Sequence, residues 1–269
     1  MPEPVVELLA EVWASIEALC ADLPEAAWER PTECPGWSVQ DVVVHVIGGE
    51  RELLGDEPPA LPGEAPGHVR NAQGERNEGW VLSGRPWSGT EVLDELRDVA
   101  ARRLDQLRAL PPEAWDREAR SPIGPMPYRA FMEMRVFDAW VHDQDIRVAV
   151  DRPRVLRGPA AELSIGRLFA AMPYVVGKQA GAPEGATVVL DVDGAPAGPA
   201  TIAVDGGRAR ALPSVPADPT VRLRLGLDDF WRLACGRRDP DEALAAGAVV
   251  VEGDVDLGQR VVRRLNHVI

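Results

Sequence analysis

The chain has 269 residues, of which 45% are hydrophobic and 27% are charged, and its formal net charge at pH 7 is −14. This length and apolar content are enough for two packed cores, so two domains are expected. The acidic balance and the lack of a large Lys/Arg cluster argue against nucleic-acid and anionic-membrane partners, and no run approaches the roughly 18 apolar residues of a membrane-spanning helix.

The start of the chain and the cysteines bear on the cellular compartment. The first residues, MPEPVVELLAEV, lack the basic start and the unbroken apolar run of a signal peptide. Cys20, Cys34 and Cys235 are odd in number and widely spaced, which fits neither a disulfide framework nor a Cys-x-x-Cys metal site. We therefore expect a cytoplasmic protein in which Cys20 and Cys235 are small buried hydrophobes.

Four amphipathic helices are predicted in the N-terminal half. Apolar residues recur at helical spacing over four stretches, 5–20, 38–54, 90–110 and 128–150. Ser38 and Asp41 form a capping-box pattern, with Asp in place of the usual Glu, at the start of the second helix. Prolines and glycines predict an irregular loop over 55–69 and another connection up to Pro127. These helices and their long connections favour an up-down bundle, in which metal sites are built from inward-facing side chains.

The pattern changes after Asp151-Arg152-Pro153, and we place the domain boundary near 152, which gives domains 1–152 and 153–269. Helices are predicted over 161–172, 227–235, 241–246 and from about 257. Strands are predicted over 186–192, 200–204, 208–212, 221–225 and 249–252. The second and third of these strands pair across Asp205-Gly206-Gly207, so the second domain is expected to be a compact α+β unit.

The fourth predicted helix carries ionisable side chains within an apolar stripe. Asp138, His142 and Asp145 fall at i, i+4 and i+7, so they project from nearly the same side of the helix. A carboxylate and an imidazole in such a stripe are costly unless they are paired, hydrogen-bonded or bound to a metal. The alternative is that Asp138 and His142 form a simple helix-stabilising pair, worth about 0.2–0.5 kcal/mol.

A third ligand is available from the second predicted helix. A catalytic zinc site needs three protein ligands and one open position, and His45 can complete the set. The chain has four histidines, and the other two are His68 in the long loop and His267 near the C-terminus. The alternative for His45 is a surface or edge position, because it lies at the margin of its apolar stripe. Asp145 is a candidate to orient a ligand histidine by a hydrogen bond, and the alternative is a helix-surface carboxylate.

Two stretches of the N-terminal half resemble the motifs of a known family. CPGWSVQDVVVH at 34–45 and RVFDAWVHDQDIR at 135–147 are similar to the mycothiol-dependent maleylpyruvate isomerase family, which is related to DinB-like metal-binding bundles. The C-terminal half, ending in VEGD at 251–254, resembles the sterol-carrier-like domain that these proteins often carry. The resemblance implies an α+β chain in which a DinB-like four-helix bundle is followed by a smaller sterol-carrier-like domain.

The resemblance also implies a site and a chemistry. In that family zinc is held by His, Glu and His, which correspond here to His45, Asp138 and His142. Asp138 departs from the pattern because it is one methylene shorter than Glu, although Asp also ligates zinc. The implied cofactors are Zn²⁺ or another divalent metal, and mycothiol. Zinc lowers the pKa of a bound thiol, so the implied activity is isomerisation or S-transfer on a small electrophile by an activated low-molecular-weight thiol.

Two other classes of function stay open at this point. One is a non-catalytic metal- and ligand-binding protein, and the other is a metal-dependent hydrolase that works without a thiol. The signatures Gly-x-Ser-x-Gly, Gly-x-x-x-x-Gly-Lys and His-Glu-x-x-His are absent from the sequence. The stretch 236–240, which contains two arginines, is interpreted as a turn between helices rather than an anion site. The expected partners are therefore a small-molecule substrate and a thiol.

Overall fold

The computed structural model describes residues 3–267 and divides into two compact units, one ending at Ala161 and one beginning at Glu162. The predicted α+β fold class is confirmed, because the first unit is mainly helical and the second is built around a sheet. The boundary proposed from the sequence, near 152, lies in the segment between the last helix of the first unit and the helix that follows it. None of the helices within 3–267 has both the length and the apolar character needed to cross a membrane.

The helices of the chain fall mainly in its first 174 residues. They are α1 (Pro4–Cys20), α2 (Glu25–Trp28), α3 (Val39–Leu54), α4 (Ala72–Gly84), α5 (Gly89–Arg108), α6 (Tyr128–Ala149), α7 (Pro159–Tyr174), α8 (Leu227–Ala234), α9 (Pro240–Ala245) and α10 (Val255–Arg263). A 3₁₀ turn at Pro112–Ala114 follows α5, and a π-helical turn at Val175–Gln179 follows α7. The strands are β1 (Glu118–Ser121), β2 (Gly124–Pro127), β3 (Thr187–Asp193), β4 (Ala200–Asp205), β5 (Arg208–Leu212), β6 (Val221–Gly226) and β7 (Val249–Gly253).

The four predicted amphipathic helices are α1, α3, α5 and α6, and they form the core of the first unit. Helix α1 packs against α5 and α6, and α3 packs against the same two helices, so the four close into a ring. Most of the apolar residues whose spacing predicts each helix are buried, for example Leu9 and Ile16 of α1 and Val42 of α3. Burial of these stripes is the main stabilising term for helices of this length.

The start of α3 is defined by the predicted capping box. The Ser38 hydroxyl accepts a hydrogen bond from the Asp41 backbone N–H, and the Asp41 carboxylate accepts one from the Ser38 N–H at 3.0 Å. Arg85 also donates to both oxygens of Asp41, at 3.0 and 3.1 Å. Because the first residue of the helix is set in this way, the side of α3 on which His45 lies is set as well.

Several elements, the short helix α2 among them, occur where the sequence pattern predicts none, and α4 and a hairpin are the largest. Helix α4 contains few apolar residues and three glycines, so its helical period is weak, yet a Cβ at Gly79 would overlap the carbonyl oxygen of Pro59 and one at Gly84 would lie 2.6 Å from Val44. These glycines therefore serve close packing. The other element is the antiparallel hairpin of β1 and β2, which replaces the loop predicted before Pro127.

The second unit contains every strand predicted for it, joined in one five-stranded sheet of order β5-β4-β3-β6-β7. Strands β3 and β6 are parallel, and the other neighbours are antiparallel. The predicted turn between β4 and β5 contains Gly206 and Gly207, both with positive φ, and their N–H groups donate to the Glu184 carboxylate at 2.9 and 3.0 Å. Helix α10 packs on β6 and β7, and α8 packs on β3 and β6.

The buried thiol of Cys20 gives a test of the packing of α1. Burial and, to a smaller extent, the negative charge of Asp143 together raise the pKa of this thiol to about 12. An unfolded cysteine titrates near about 8.5, so above that pH the unfolded chain has lost a proton that the folded chain retains, and stability falls as pH rises. When the pH rises from about 8 to about 10, the unfolding free energy of the wild type should fall by roughly 1–2 kcal/mol more than that of Cys20→Ala, which lacks the thiol. Urea denaturation at both pH values measures this, and equal losses in the two proteins would contradict the shifted pKa.

Candidate metal centre

Helices α3 and α6 bring the three predicted ligands together. His45 lies two turns into α3, and Asp138 and His142 lie one turn apart on α6. His45 Nε2 is 3.4 Å from Asp138 Oδ2, and His142 Nε2 is 3.8 Å from Asp138 Oδ1. Among the described residues this is the single cluster of three His, Cys, Asp or Glu side chains close enough to share an ion, with the ligand atoms within 4.8 Å of one another.

The spacing and the donor types fit a zinc ion. Ligand bonds of about 2.0–2.1 Å in a tetrahedral arrangement separate the ligand atoms by about 3.3 Å. The distances of 3.4 Å to Asp138 Oδ2 and 3.8 Å to Asp138 Oδ1 are close to this value, and one ligand atom from each residue lies within 4.8 Å of the others, so the side chains would have to move closer together around the ion. Two imidazoles and one carboxylate are donors that zinc accepts, and three protein ligands leave a fourth coordination position for another molecule.

The two histidines are held in a nearly dry environment. The side chains of His45 and His142 are each 7% exposed, whereas that of Asp138 is 28% exposed. Burial lowers the pKa of His45, and the charge of Asp138 only partly opposes this shift. His45 is therefore neutral over a wider pH range than an exposed histidine, and the neutral imidazole is the form that binds metal. The alternative in which His45 is a surface residue is wrong.

Asp138 is an ionised carboxylate despite its position between two imidazoles. Burial favours its neutral form, but the positive charge of Arg135 and the contacts with His45 and His142 outweigh burial and hold its pKa well below the usual range. Arg135 Nη1 donates to Asp138 Oδ2 at 2.9 Å. The separation of 3.8 Å between Asp138 and His142 is too long for a hydrogen bond, so Arg135, rather than an i,i+4 pair, secures this carboxylate.

Asp145 lies behind His142, on the side away from Asp138. His142 Nδ1 is 3.0 Å from Asp145 Oδ2, and the Asp145 side chain is fully buried, which contradicts the helix-surface alternative. Because a carboxylate accepts the proton of Nδ1–H, Nε2 becomes the nitrogen with the free lone pair and faces the other ligands. This is the contact required of a residue that orients a ligand histidine.

A buried charge network behind Asp138 was not predicted from the sequence. Arg135 Nε donates to Glu50 Oε1 at 2.8 Å, and Arg103 Nε donates to Glu50 Oε2 at 2.9 Å. The sequence does indicate that Arg103 is buried. It is four residues after Val99 and four before Leu107, so it occupies a core position of the apolar stripe of α5. The partner of such a charge has no local signature.

Trp37 forms one wall of the site. The centroid of its ring lies 5.0 Å from that of His45 and 6.1 Å from that of His142. Its indole N–H donates to Glu78 Oε2 at 3.0 Å, and His68 Nε2 lies 3.0 Å from the same oxygen. His68, which the sequence offers as another candidate ligand, therefore lies outside the cluster and contacts the carboxylate that holds Trp37.

The other sequence candidates are not members of the cluster. His267 belongs to the second unit, where its Nδ1 is 2.9 Å from the Leu265 carbonyl oxygen. The stretch 236–240 is a turn between α8 and α9, as predicted, and its Arg238 pairs with Asp229. This pairing neutralises one of the two arginines that suggested an anion site.

Comparison with known proteins covers both units. The family described as mycothiol maleylpyruvate isomerase N-terminal domain matches residues 9–147, and the MDMPI C-terminal domain matches 162–260. A crystal structure of mycothiol-dependent maleylpyruvate isomerase is 20% identical to this chain, with a TM-score of 0.61 and coverage of 95% of both chains. The crystal structure of a histidine-to-alanine mutant of that enzyme is also 20% identical, with a TM-score of 0.60 and coverage of 95% of both chains. A crystal structure of sterol carrier protein 2 is 17% identical, with a TM-score of 0.29 over 38% of this chain and 96% of that chain. No curated protein sequence matches the chain.

The family match and the predicted motifs agree in position. The matched residues 9–147 include both motif stretches, 34–45 and 135–147, and all three residues of the cluster. At 20% identity, the likeness to the isomerase crystal structures establishes a shared fold over 95% of the chain. The chain therefore belongs to the mycothiol maleylpyruvate isomerase family, as its sequence motifs predicted.

Proposed function

We propose that this chain is a thiol-dependent isomerase that acts on a small electrophile with a low-molecular-weight thiol such as mycothiol. The observation that carries the proposal is the cluster of His45, Asp138 and His142 in a chain of this family. The related proteins with solved structures are named mycothiol-dependent maleylpyruvate isomerase. The substrate class that suits this chemistry has a carbon–carbon double bond conjugated to a carbonyl group.

In the proposed reaction the thiol adds to the substrate and is released again, so no thiol is consumed. The sulfur forms a bond to one carbon of the conjugated double bond, and the electron pair of that double bond moves toward the carbonyl oxygen. The former double bond is then single and rotates. The carbon–sulfur bond breaks, the double bond forms again in the other configuration, and the thiol is released. If the carbon–sulfur bond stayed intact, the same first step would instead give S-transfer.

His45, Asp138 and His142 would hold Zn²⁺ or another divalent cation. Such a cation, when bound, lowers the pKa of a coordinated thiol and so supplies thiolate at neutral pH. Asp145 orients His142, and Trp37 shields both imidazoles from water on one side. Asp138 is the most exposed of the three side chains, so a small molecule would approach the centre beside it.

Metal content tests the first part of the proposal. We expect the purified protein to contain about one zinc ion per chain, and His45→Ala and His142→Ala to contain little, because two remaining ligands bind zinc weakly. Elemental analysis of the three proteins, prepared identically, measures this.

His267→Ala is the matched control, since His267 belongs to the second unit and lies outside the cluster. This variant should keep its metal. If the wild type holds no metal even after incubation with zinc, the metal centre is wrong.

Thiol dependence tests the second part. We expect isomerisation of maleylpyruvate, followed by ultraviolet absorbance, to require added mycothiol. At pH near 7, His45→Ala should lose at least about 30-fold in rate, because a free thiol with a pKa near about 8.5 is only a few per cent thiolate at that pH.

Three outcomes would contradict the isomerase. A stable sulfur conjugate detected by mass spectrometry would indicate S-transfer. Turnover without any thiol would indicate a hydrolase-like use of bound water. Metal binding with no turnover of any thiol and electrophile pair would indicate a binding protein.

A further inference from the structure

Four side chains of alternating charge form a continuous line from the core of the first unit to the metal centre. Arg103 on α5 contacts Glu50 on α3 at 2.9 Å, Glu50 contacts Arg135 on α6 at 2.8 Å, and Arg135 contacts Asp138 at 2.9 Å. The exposed fraction of these side chains rises along the line from 0% at Arg103 to 3%, 11% and 28% at Asp138. The line therefore ends at the one charged ligand of the cluster.

Stability alone does not account for charges in this position. Removing two ions from water costs several kcal/mol per ion, and apolar residues of similar volume often give equal or greater stability. What a hydrogen-bonded ion network adds is a defined position for each atom. Arg135 provides this in one side chain, because its Nε holds Glu50 while its Nη1 holds Asp138. The flexible ammonium of a lysine lacks this rigid planar arrangement of donors on separate nitrogens.

The two oxygens of Asp138 have different neighbours. Oδ2 accepts the hydrogen bond from Arg135 and lies 3.4 Å from His45 Nε2, whereas Oδ1 is the oxygen that faces His142. We infer that Arg135 is the positioning residue of the centre: it holds Oδ2, so that the carboxylate cannot rotate and keeps Oδ2 toward His45 and Oδ1 toward His142. This inference rests on the proposed metal centre. Asp has one bond fewer than Glu about which to adjust, so its ligand oxygen depends more on such an external hold.

Gly49 provides the space that Arg135 occupies. A Cβ at Gly49 would overlap Nη2 of Arg135 and lie 2.9 Å from its Cζ. Nη2 itself is buried and makes no hydrogen bond within the described residues, so the guanidinium is held by its other two nitrogens. Replacing Gly49 by Ala would thus displace the guanidinium without changing any charge or any ligand, and Ala is favourable in a helix.

The test uses Gly49→Ala and Arg135→Lys, with zinc and cobalt as the probes. We expect both variants to keep the far-ultraviolet circular dichroism of the wild type and to bind zinc about 10–100-fold more weakly, the usual cost of losing a partner that orients a ligand. Their cobalt-substituted forms should differ from the wild type in the visible d–d absorption bands, which report ligand geometry and which a loss of fold stability alone would not shift. Gly166→Ala is the matched control, because Gly166 is also helical and a Cβ there meets no atom within 4 Å.

The outcomes separate this inference from the proposal beneath it. If the wild type binds zinc and both variants match it in affinity and in cobalt spectrum, the positioning role of Arg135 is overturned while the metal centre stands. If the wild type binds neither metal, the centre and the positioning role are overturned together. If Gly49→Ala does not fold, the zinc affinity and cobalt spectrum of Arg135→Lys decide the positioning role. This variant adds no atom at Gly49 and leaves the net charge unchanged.

Discussion

Glu50 lies between the guanidinium groups of Arg103 and Arg135, and this buried arrangement connects α5, α3 and α6 at one point. A buried charge that loses its partner costs about 3–5 kcal/mol, so the three helices are stable together only where all three side chains meet. That constraint determines how α6 lies along α3. It therefore also determines the separation of His45 on α3 from Asp138 and His142 on α6.

The other residues around the cluster depend on this relative position of α3 and α6. Ser38 and Asp41 determine where α3 begins, and Trp37, the residue before the cap, consequently lies against the rings of His45 and His142. On the far side, Asp145 fixes the orientation of the His142 ring. The side chains of the cluster are thus carried by two helices and braced by neighbours, which is the rigid support that the proposed metal site requires.

Family membership and geometry contribute different parts of the functional argument. The family match places the chain among the mycothiol maleylpyruvate isomerase proteins, and it covers the motifs that contain all three residues of the cluster. Geometry supplies what a family match cannot: a neutral buried His45, an ionised Asp138 held by Arg135, and a His142 whose Nε2 is free to bind. Asp138, where the sequence resemblance implies Glu, already lies within 4 Å of both imidazoles, so the shorter side chain is compatible with the cluster.

The sequence by itself determined the elements whose signals are local. The helical periods of α1, α3, α5 and α6, the capping box at Ser38 and the strands of the second unit could all be predicted, because apolar periodicity and turn residues act within a few positions. Asp138, His142 and Asp145 could be placed on one face for the same reason, and the resemblance pointed to His45. Tertiary structure decided the rest. Helix α4, whose glycines serve contacts with Pro59 and Val44, has little periodicity of its own, and the pairing of Glu50 with Arg135 joins residues 85 positions apart. No local pattern specifies such partners, because the free energy that selects them arises only when burial removes water from both charges.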